Sequence, residues 1–177
     1  MERNALEALG RLLNSLGIRW ALMGALAANR YRTSPRLTQD VDLLLADLGP
    51  GLGALERALR LEGWSVRRAS PHNELLRLRH PELGAADLIV AGTEYEQLAL
   101  ERARVETLGA IGPVHLLTVE DVLILKLIAG RTQDIADIEA ILLSAVPVDE
   151  RYVGEWVSYW EVEPVWQRLL GTFRHKS

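Results

Sequence analysis

The chain has 177 residues, 49% of them apolar and 25% charged, with a formal net charge of −4. That is the composition of one soluble domain with a real core, and the acidic balance argues against a broadly basic nucleic-acid binder. Without cysteine, disulfides and thiolate metal sites are excluded; with no signal-like start at Met1-Glu2-Arg3-Asn4 and no apolar run of about eighteen residues, a cytoplasmic protein with no membrane partner is the expectation.

Leu6, Leu9, Leu12, Leu13 and Leu16 fall at helical spacing, with Asn4 as candidate cap and Gly17 as stop. Ile18, Trp20 and Leu22 alternate with Arg19, Ala21 and Met23, which predicts a strand that Gly24 ends. Ala25 to Tyr31 reads as a short helix, and Arg32 to Thr38 as a loop on its Pro35 and hydroxyl content. Asp40-Val41-Asp42-Leu43-Leu44-Leu45 is the most apolar strand candidate. After a break at Gly49-Pro50-Gly51, Leu52, Leu55 and Leu59 mark a helix closed by Gly63. Strands are predicted over 65–69, 74–79 and 86–90, the last two as a hairpin across Pro81-Glu82-Leu83-Gly84. Tyr95 to Ala103 is helical, and Arg104 to Leu117 holds extended pieces around Gly109 and Gly112-Pro113. Helices are predicted over 119–129 and 132–143, then a helical tail over 149–173 broken near Pro164. The pattern predicts an α/β fold: a mixed sheet flanked by helices over 1–118, with a helical C-terminal region over 119–177 packed on that core.

Asp40 and Asp42 carry the most chemistry. Residues two apart in a strand point to the same side, so both charges are presented together. Holding two like charges beside an apolar sheet is costly unless something positive sits between them, and a hard divalent cation with oxygen ligands is the usual answer. Asp87 also opens an apolar strand, one that could lie beside the first. Three carboxylates on neighbouring strands can hold two magnesium ions, one neutralising a triphosphate and one lowering the pKa of an attacking hydroxyl. Gly24, lacking a Cβ, lets backbone approach a phosphate, and the N–H groups opening the next helix supply an anion site.

This pattern resembles the nucleotidyltransferase superfamily with the polymerase-β-type palm: Met23-Gly24-Ala25, then Asp40-Val41-Asp42, with Asp87 as third acid. It is similar to the minimal, AbiEii-like bacterial branch in Arg36-Leu37-Thr38-Gln39-Asp40-Val41-Asp42, in Glu120-Asp121-Val122-Leu123-Ile124-Leu125-Lys126, and in Arg131-Thr132-Gln133-Asp134-Ile135-Ala136-Asp137. The resemblance covers residues 16–143. It implies magnesium-dependent transfer of a nucleoside monophosphate from an NTP, such as ATP, to a hydroxyl acceptor. Asp40, Asp42 and Asp87 would be the catalytic, metal-binding acids, and Gly24, Ala25, Arg36 and Lys126 the nucleotide-binding residues. The resemblance leaves the acceptor open between RNA and a small hydroxylated molecule, and implies an antitoxin-type protein partner for its toxin members. Ala25 stands where the family carries Gly or Ser; it keeps the backbone donor and lacks a serine hydroxyl. A non-catalytic nucleotide-binding module of the same fold is the alternative function, and a metal-dependent nuclease ranks last.

Each residue also has a plainer reading. The Asp40/Asp42 pair fits a solvated strand edge, Asp87 a hairpin turn residue, Gly24 an ordinary strand-to-helix turn, and Arg36 an exposed loop arginine. Lys126 interrupts an apolar run and must snorkel or meet an acid; an ion pair with Asp134 or Asp137 competes with a phosphate role. Arg131, Asp134 and Asp137, spaced by three on one helical face, favour structural pairing. His72, His80, His115 and His175 show no metal-ligand spacing. Arg67, Arg68, Arg77, Arg79, Arg102 and Arg104 favour solvated faces over an RNA groove. The aromatics Tyr152, Trp156, Tyr159, Trp160 and Trp166 favour core packing over base stacking.

Overall fold

The computed structural model describes residues 2–38, 40–48, 51–70, 73–108 and 112–174. Gly49, Pro50, His72, Gly109 and His175 lie outside the described residues. The elements in chain order are α1 (Glu2–Ser15), β1 (Trp20–Leu22), α2 (Gly24–Arg30), β2 (Asp40–Leu45), α3 (Leu52–Leu61), β3 (Ser65–Ser70), β4 (Asn73–His80) and β5 (Gly84–Val90). They continue with α4 (Glu94–Arg102), β6 (Arg104–Thr107), β7 (Pro113–Leu116), α5 (Val119–Ala129), α6 (Thr132–Leu143), α7 (Glu150–Tyr159) and α8 (Glu163–Arg174). Among the described residues no helix is long and apolar enough to cross a membrane.

The chain divides into two compact units, Met1–Leu26 with Leu37–Leu117, and Ala27–Arg36 with Thr118–Ser177. The first unit is built on a seven-stranded sheet in the order β3-β4-β5-β2-β1-β7-β6. The sheet is mixed: β2 runs parallel to β5 and β1 parallel to β7, while the other neighbours are antiparallel. The α/β fold with a mixed sheet is as the sequence predicts. Central strands explain the apolar runs, because a strand covered on both faces has no polar side to alternate. Leu43, Leu44 and Leu45 of β2 are all buried, and so are all three residues of β1, Ala21 included. The predicted alternation over 18–23 is therefore absent: β1 keeps only the stretch that the sheet covers. Asn4 lies inside α1, which begins two residues earlier, so it is no cap.

Toward the β3 edge the two faces differ. One face carries Val66, Leu76, Leu78, Ala86, Leu88 and Val41, most of them fully buried. The pair of Arg68 Nε with Glu56 Oε1 at 2.5 Å puts α3 on that side. On the opposite face Arg67, Arg77 and Arg79 are exposed, and Asp87 and Asp42 half-buried. A capping box starts α4: Thr93 Oγ1 accepts from the Glu96 N–H at 3.1 Å, and Glu96 accepts from the Thr93 N–H at 2.9 Å.

The second unit is helical. Asp121 is fully buried in α5 and accepts from the Thr118 hydroxyl at 2.7 Å and the Tyr152 hydroxyl at 2.9 Å. Glu120 accepts from the Asp149 N–H at 3.1 Å, which ties the start of α7 to α5. Val153, Val157, Trp166 and Leu169 form its core with the apolar faces of α5 and α6. Tyr152, Trp156, Tyr159 and Trp160 meet edge-to-face in sequence, at 6.5, 5.7 and 5.2 Å between ring centroids. The tail breaks at residues 160–162, just ahead of Pro164 in the first turn of α8, where a missing N–H costs nothing.

Candidate active site

The glycine at the β1–α2 junction and the paired acids of β2 meet in space. Gly24 has φ +65°, the left-handed region that favours glycine, and a Cβ built on it would lie 1.9 Å from Asp42 Oδ2. The Met23 N–H donates to the Asp42 carbonyl at 3.0 Å. So Gly24 is required twice here, once by its own backbone and once by the carboxylate seated against it. We expect Gly24→Ala to cost about 1–3 kcal/mol from the backbone conformation alone, with a further loss as the Asp42 carboxylate is displaced. Urea denaturation checks this; a variant as stable as the parent would contradict the packing.

Asp87 stands beside this pair. The parallel register of β2 and β5 makes Asp42 and Asp87 direct partners, and Asp40 faces the same side two residues earlier, opposite Ala85. Burial pushes the Asp87 carboxyl above its ordinary range; Arg77 pulls against this, Asp40 adds to it, and Arg67 and Arg79 oppose it. Arg77 Nε lies 3.9 Å from Asp87 Oδ2. Three carboxylates give an all-oxygen donor set, the chemistry that a hard divalent cation such as magnesium takes. Among the described residues no group of three or more His, Asp or Glu is gathered into a cation cage. The donor type fits magnesium, and the side chains are not closed around a single point. Ala25 is buried and adjoins Gly24 at the start of α2.

Arg36 and Lys126 belong to the helical unit, around a different acid. Asp137, with a side chain 0% exposed, accepts from Arg32 Nη1 at 2.6 Å, Arg36 Nε at 2.8 Å and Lys126 Nζ at 2.7 Å. Lys126 also donates to Asp134 Oδ1 at 3.2 Å, and Arg131 Nε reaches Asp134 Oδ2 at 2.7 Å. Burial raises both acids, yet the hydrogen bonds and charges around them win. Asp134 is held below its ordinary range and Asp137 falls to about 2. Asn29 closes the loop: its amide nitrogen donates to the Arg36 carbonyl at 2.8 Å, and its oxygen accepts from the Arg36 N–H at 3.0 Å. Arg32 was not singled out by its sequence context, since a loop arginine carries no periodic signal of its partner about a hundred residues away. The Lys126, Asp134 and Asp137 ion pairs are the structural alternative that the sequence left open.

The remaining candidates take ordinary positions. His80 accepts at Nδ1 from the Glu82 and Leu83 N–H groups of the β4–β5 turn. Trp166 is core, while Tyr159 is 70% exposed.

No family model and no curated protein matches this sequence. Solved structures do match the fold. An antigenic nucleotidyltransferase-like protein from Paracoccidioides brasiliensis is 22% identical, with TM-score 0.57 over 96% of this chain and 91% of that one. ANT(2")-Ia in complex with adenylyl-2"-tobramycin is 15% identical, with TM-score 0.61 over 91% and 97%. MenT4, a nucleotidyltransferase toxin from Mycobacterium tuberculosis H37Rv, is 19% identical, with TM-score 0.54 over 88% of this chain and 62% of that one. The mixed sheet that seats Asp42 against Gly24 and beside Asp87 thus has the architecture of these proteins: this chain has the nucleotidyltransferase fold.

Proposed function

We propose that this protein is a magnesium-dependent nucleotidyltransferase moving a nucleoside monophosphate from an NTP to a hydroxyl acceptor. The observation that carries the reading is the Gly24–Asp42–Asp87 juxtaposition, because it sets two neighbouring carboxylates against the glycine turn that opens α2, an all-oxygen donor set beside backbone that carries no side chain. Asp40 and Asp42 would hold magnesium, with Asp87 completing the set and receiving the acceptor proton. The cation, when bound, neutralises phosphate charge and makes the acceptor hydroxyl more acidic. Gly24 and the Ala25 N–H would face the β- and γ-phosphates. Arg36 and Lys126, the nucleotide-binding candidates of the sequence, meet Asp137 within the helical unit, where they tie the segment after α2 to the α5–α6 pair. Catalysis in such a site is chiefly orientation and charge neutralisation.

The Arg36-x-Thr38-x-Asp40-x-Asp42 element with the Lys126–Arg131–Asp134–Asp137 series supports the AbiEii-like branch, with the antitoxin-type partner that branch implies, and the MenT4 likeness supports a toxin. A non-catalytic nucleotide-binding module is the second reading, favoured by Ala25 and by Arg77 leaning on Asp87. Transfer of label from an α-labelled NTP separates the two, and calorimetric titration with each NTP, with and without magnesium, tests the nucleotide site that both share. We expect binding that needs magnesium and disappears in Asp40→Asn/Asp42→Asn. Absence of NTP binding at millimolar concentration would overturn the transferase reading.

A further inference from the structure

The open face of the sheet carries a row of charge that runs directly away from the carboxylates. Register partners across four strands are Arg67 on β3, Arg77 on β4, Asp87 on β5 and Asp42 on β2. The next row on the same face is Ser65, Arg79, Ala85 and Asp40. All three arginines are exposed. Among the described residues Arg67 and Arg79 make no ion pair, in contrast to Arg68, which points to the other face and is taken by Glu56. Adjacent strands lie about 5 Å apart and alternate residues about 7 Å apart. The three guanidinium groups therefore offer successive positions starting one strand away from Asp87.

We propose that Arg67, Arg77 and Arg79 form the acceptor subsite, and that it holds the backbone phosphates of a single-stranded polynucleotide whose terminal hydroxyl reaches the Asp42–Asp87 pair. This assignment rests on the transferase reading. A single phosphorylated small molecule needs one such group, whereas a strand end supplies a hydroxyl and, one nucleotide behind it, a regular series of phosphates. Arginine forks match phosphate oxygens bidentately. The chain as a whole is acidic, at −4, so its general field does not hold a polyanion and the affinity must come from this local row. In the transfer, the terminal hydroxyl oxygen bonds to the α-phosphorus of the NTP. The α–β bridging oxygen leaves with pyrophosphate, and the hydroxyl proton passes to Asp87 and on to solvent.

The test is fluorescence anisotropy of a labelled oligoadenylate of about twelve nucleotides, in EDTA and without NTP, so that it reads the surface alone. Three phosphate contacts give a slope of log K against log salt near −2, or about twentyfold weaker binding on a fourfold rise in salt. Arg67→Gln/Arg79→Gln, which keeps the Arg77–Asp87 contact, should weaken binding about tenfold and flatten that slope, while magnesium-dependent NTP binding is retained. Equal binding by the variant, or no binding by the parent protein, overturns the subsite. Oligoglutamate binding as tightly as the oligonucleotide would overturn it in favour of an acidic protein surface. Loss of NTP affinity in that double variant would reassign the arginines to the donor triphosphate. If NTP binding fails while arginine-dependent oligonucleotide binding persists, the transferase reading falls and the surface assignment stands without it.

Discussion

Asp137→Asn should destabilise the protein by about 3–5 kcal/mol, because it removes the common partner of three cations in a buried network. Arg32, Arg36 and Lys126 all donate to this one carboxylate, whose side chain is 0% exposed. Lys126 would keep Asp134, but Arg32 and Arg36 lose the acid they meet. Against a typical total of about 5–15 kcal/mol, that is a large part of the stability. Lys126→Met should cost less, since each acid then keeps an arginine: Asp134 retains Arg131, and Asp137 retains Arg32 and Arg36. Urea denaturation of the two variants gives the order. The same pair separates the roles of Lys126: a phosphate ligand would lose NTP affinity and leave the denaturation midpoint unmoved. The pH dependence has a definite sign. Burial would raise the Asp137 carboxyl, but hydrogen bonds from Arg36 and Lys126 bring it from 3.8 to about 2. A folded-state pKa below the unfolded value contributes stability that is complete above 3.8 and is lost as pH falls toward about 2. The melting temperature should fall over that acid window, and fall less steeply in Asp137→Asn.

Asp42→Asn should reduce nucleotidyl transfer by at least about a hundredfold, on the scale of removing one preorganised electrostatic group, while leaving the fold intact or more stable. The two effects share a cause. Asp42 faces Asp87 across β2 and β5 and stands two residues from Asp40, and like charges at that spacing oppose folding unless a cation lies between them. Asparagine keeps the shape packed against Gly24 and removes the charge. Single-turnover transfer from labelled NTP, alongside a thermal melt, reads both quantities. Transfer at the parent rate would remove Asp42 from the mechanism. A melting temperature that falls sharply would instead show that the carboxylate holds the β1–α2 turn, with Gly24, in place.

Local chemistry accounts for most of the elements. The helix of α5 follows from an apolar run with Thr118 as its cap, and Gly130 ends it in the left-handed region. The β4–β5 hairpin follows from two strand-like runs around Pro81-Glu82-Leu83-Gly84. Asp40, Asp42, Asp87 and Gly24 stand out in sequence because carboxylates directly ahead of apolar runs and a glycine at a strand end are locally conspicuous, although β5 begins at Gly84 and so holds Asp87 in its middle. Those signals are short-range, and so the sequence can display them.

What the sequence could not decide are the pairings between distant segments. A strand's own pattern does not say which neighbour it takes or in which register, yet the parallel register of β2 with β5 is what makes Asp42 and Asp87 partners. The reason for Gly24 likewise changes: the Asp42 carboxylate occupies the place of a Cβ, a contact over eighteen residues that no local rule contains. Lys126 was an open question in sequence because an ammonium in an apolar run must meet some acid, and only packing shows that Asp134 and Asp137 are those acids. Arg67 and Arg68 are neighbours of identical type; the pleat sends one to Glu56 and leaves the other beside Arg77 on the open face. The sequence by itself determined the elements and the kinds of charge they carry. Tertiary structure decided which charges meet, because Coulomb and steric terms depend on distances that long-range strand pairing and helix packing alone establish.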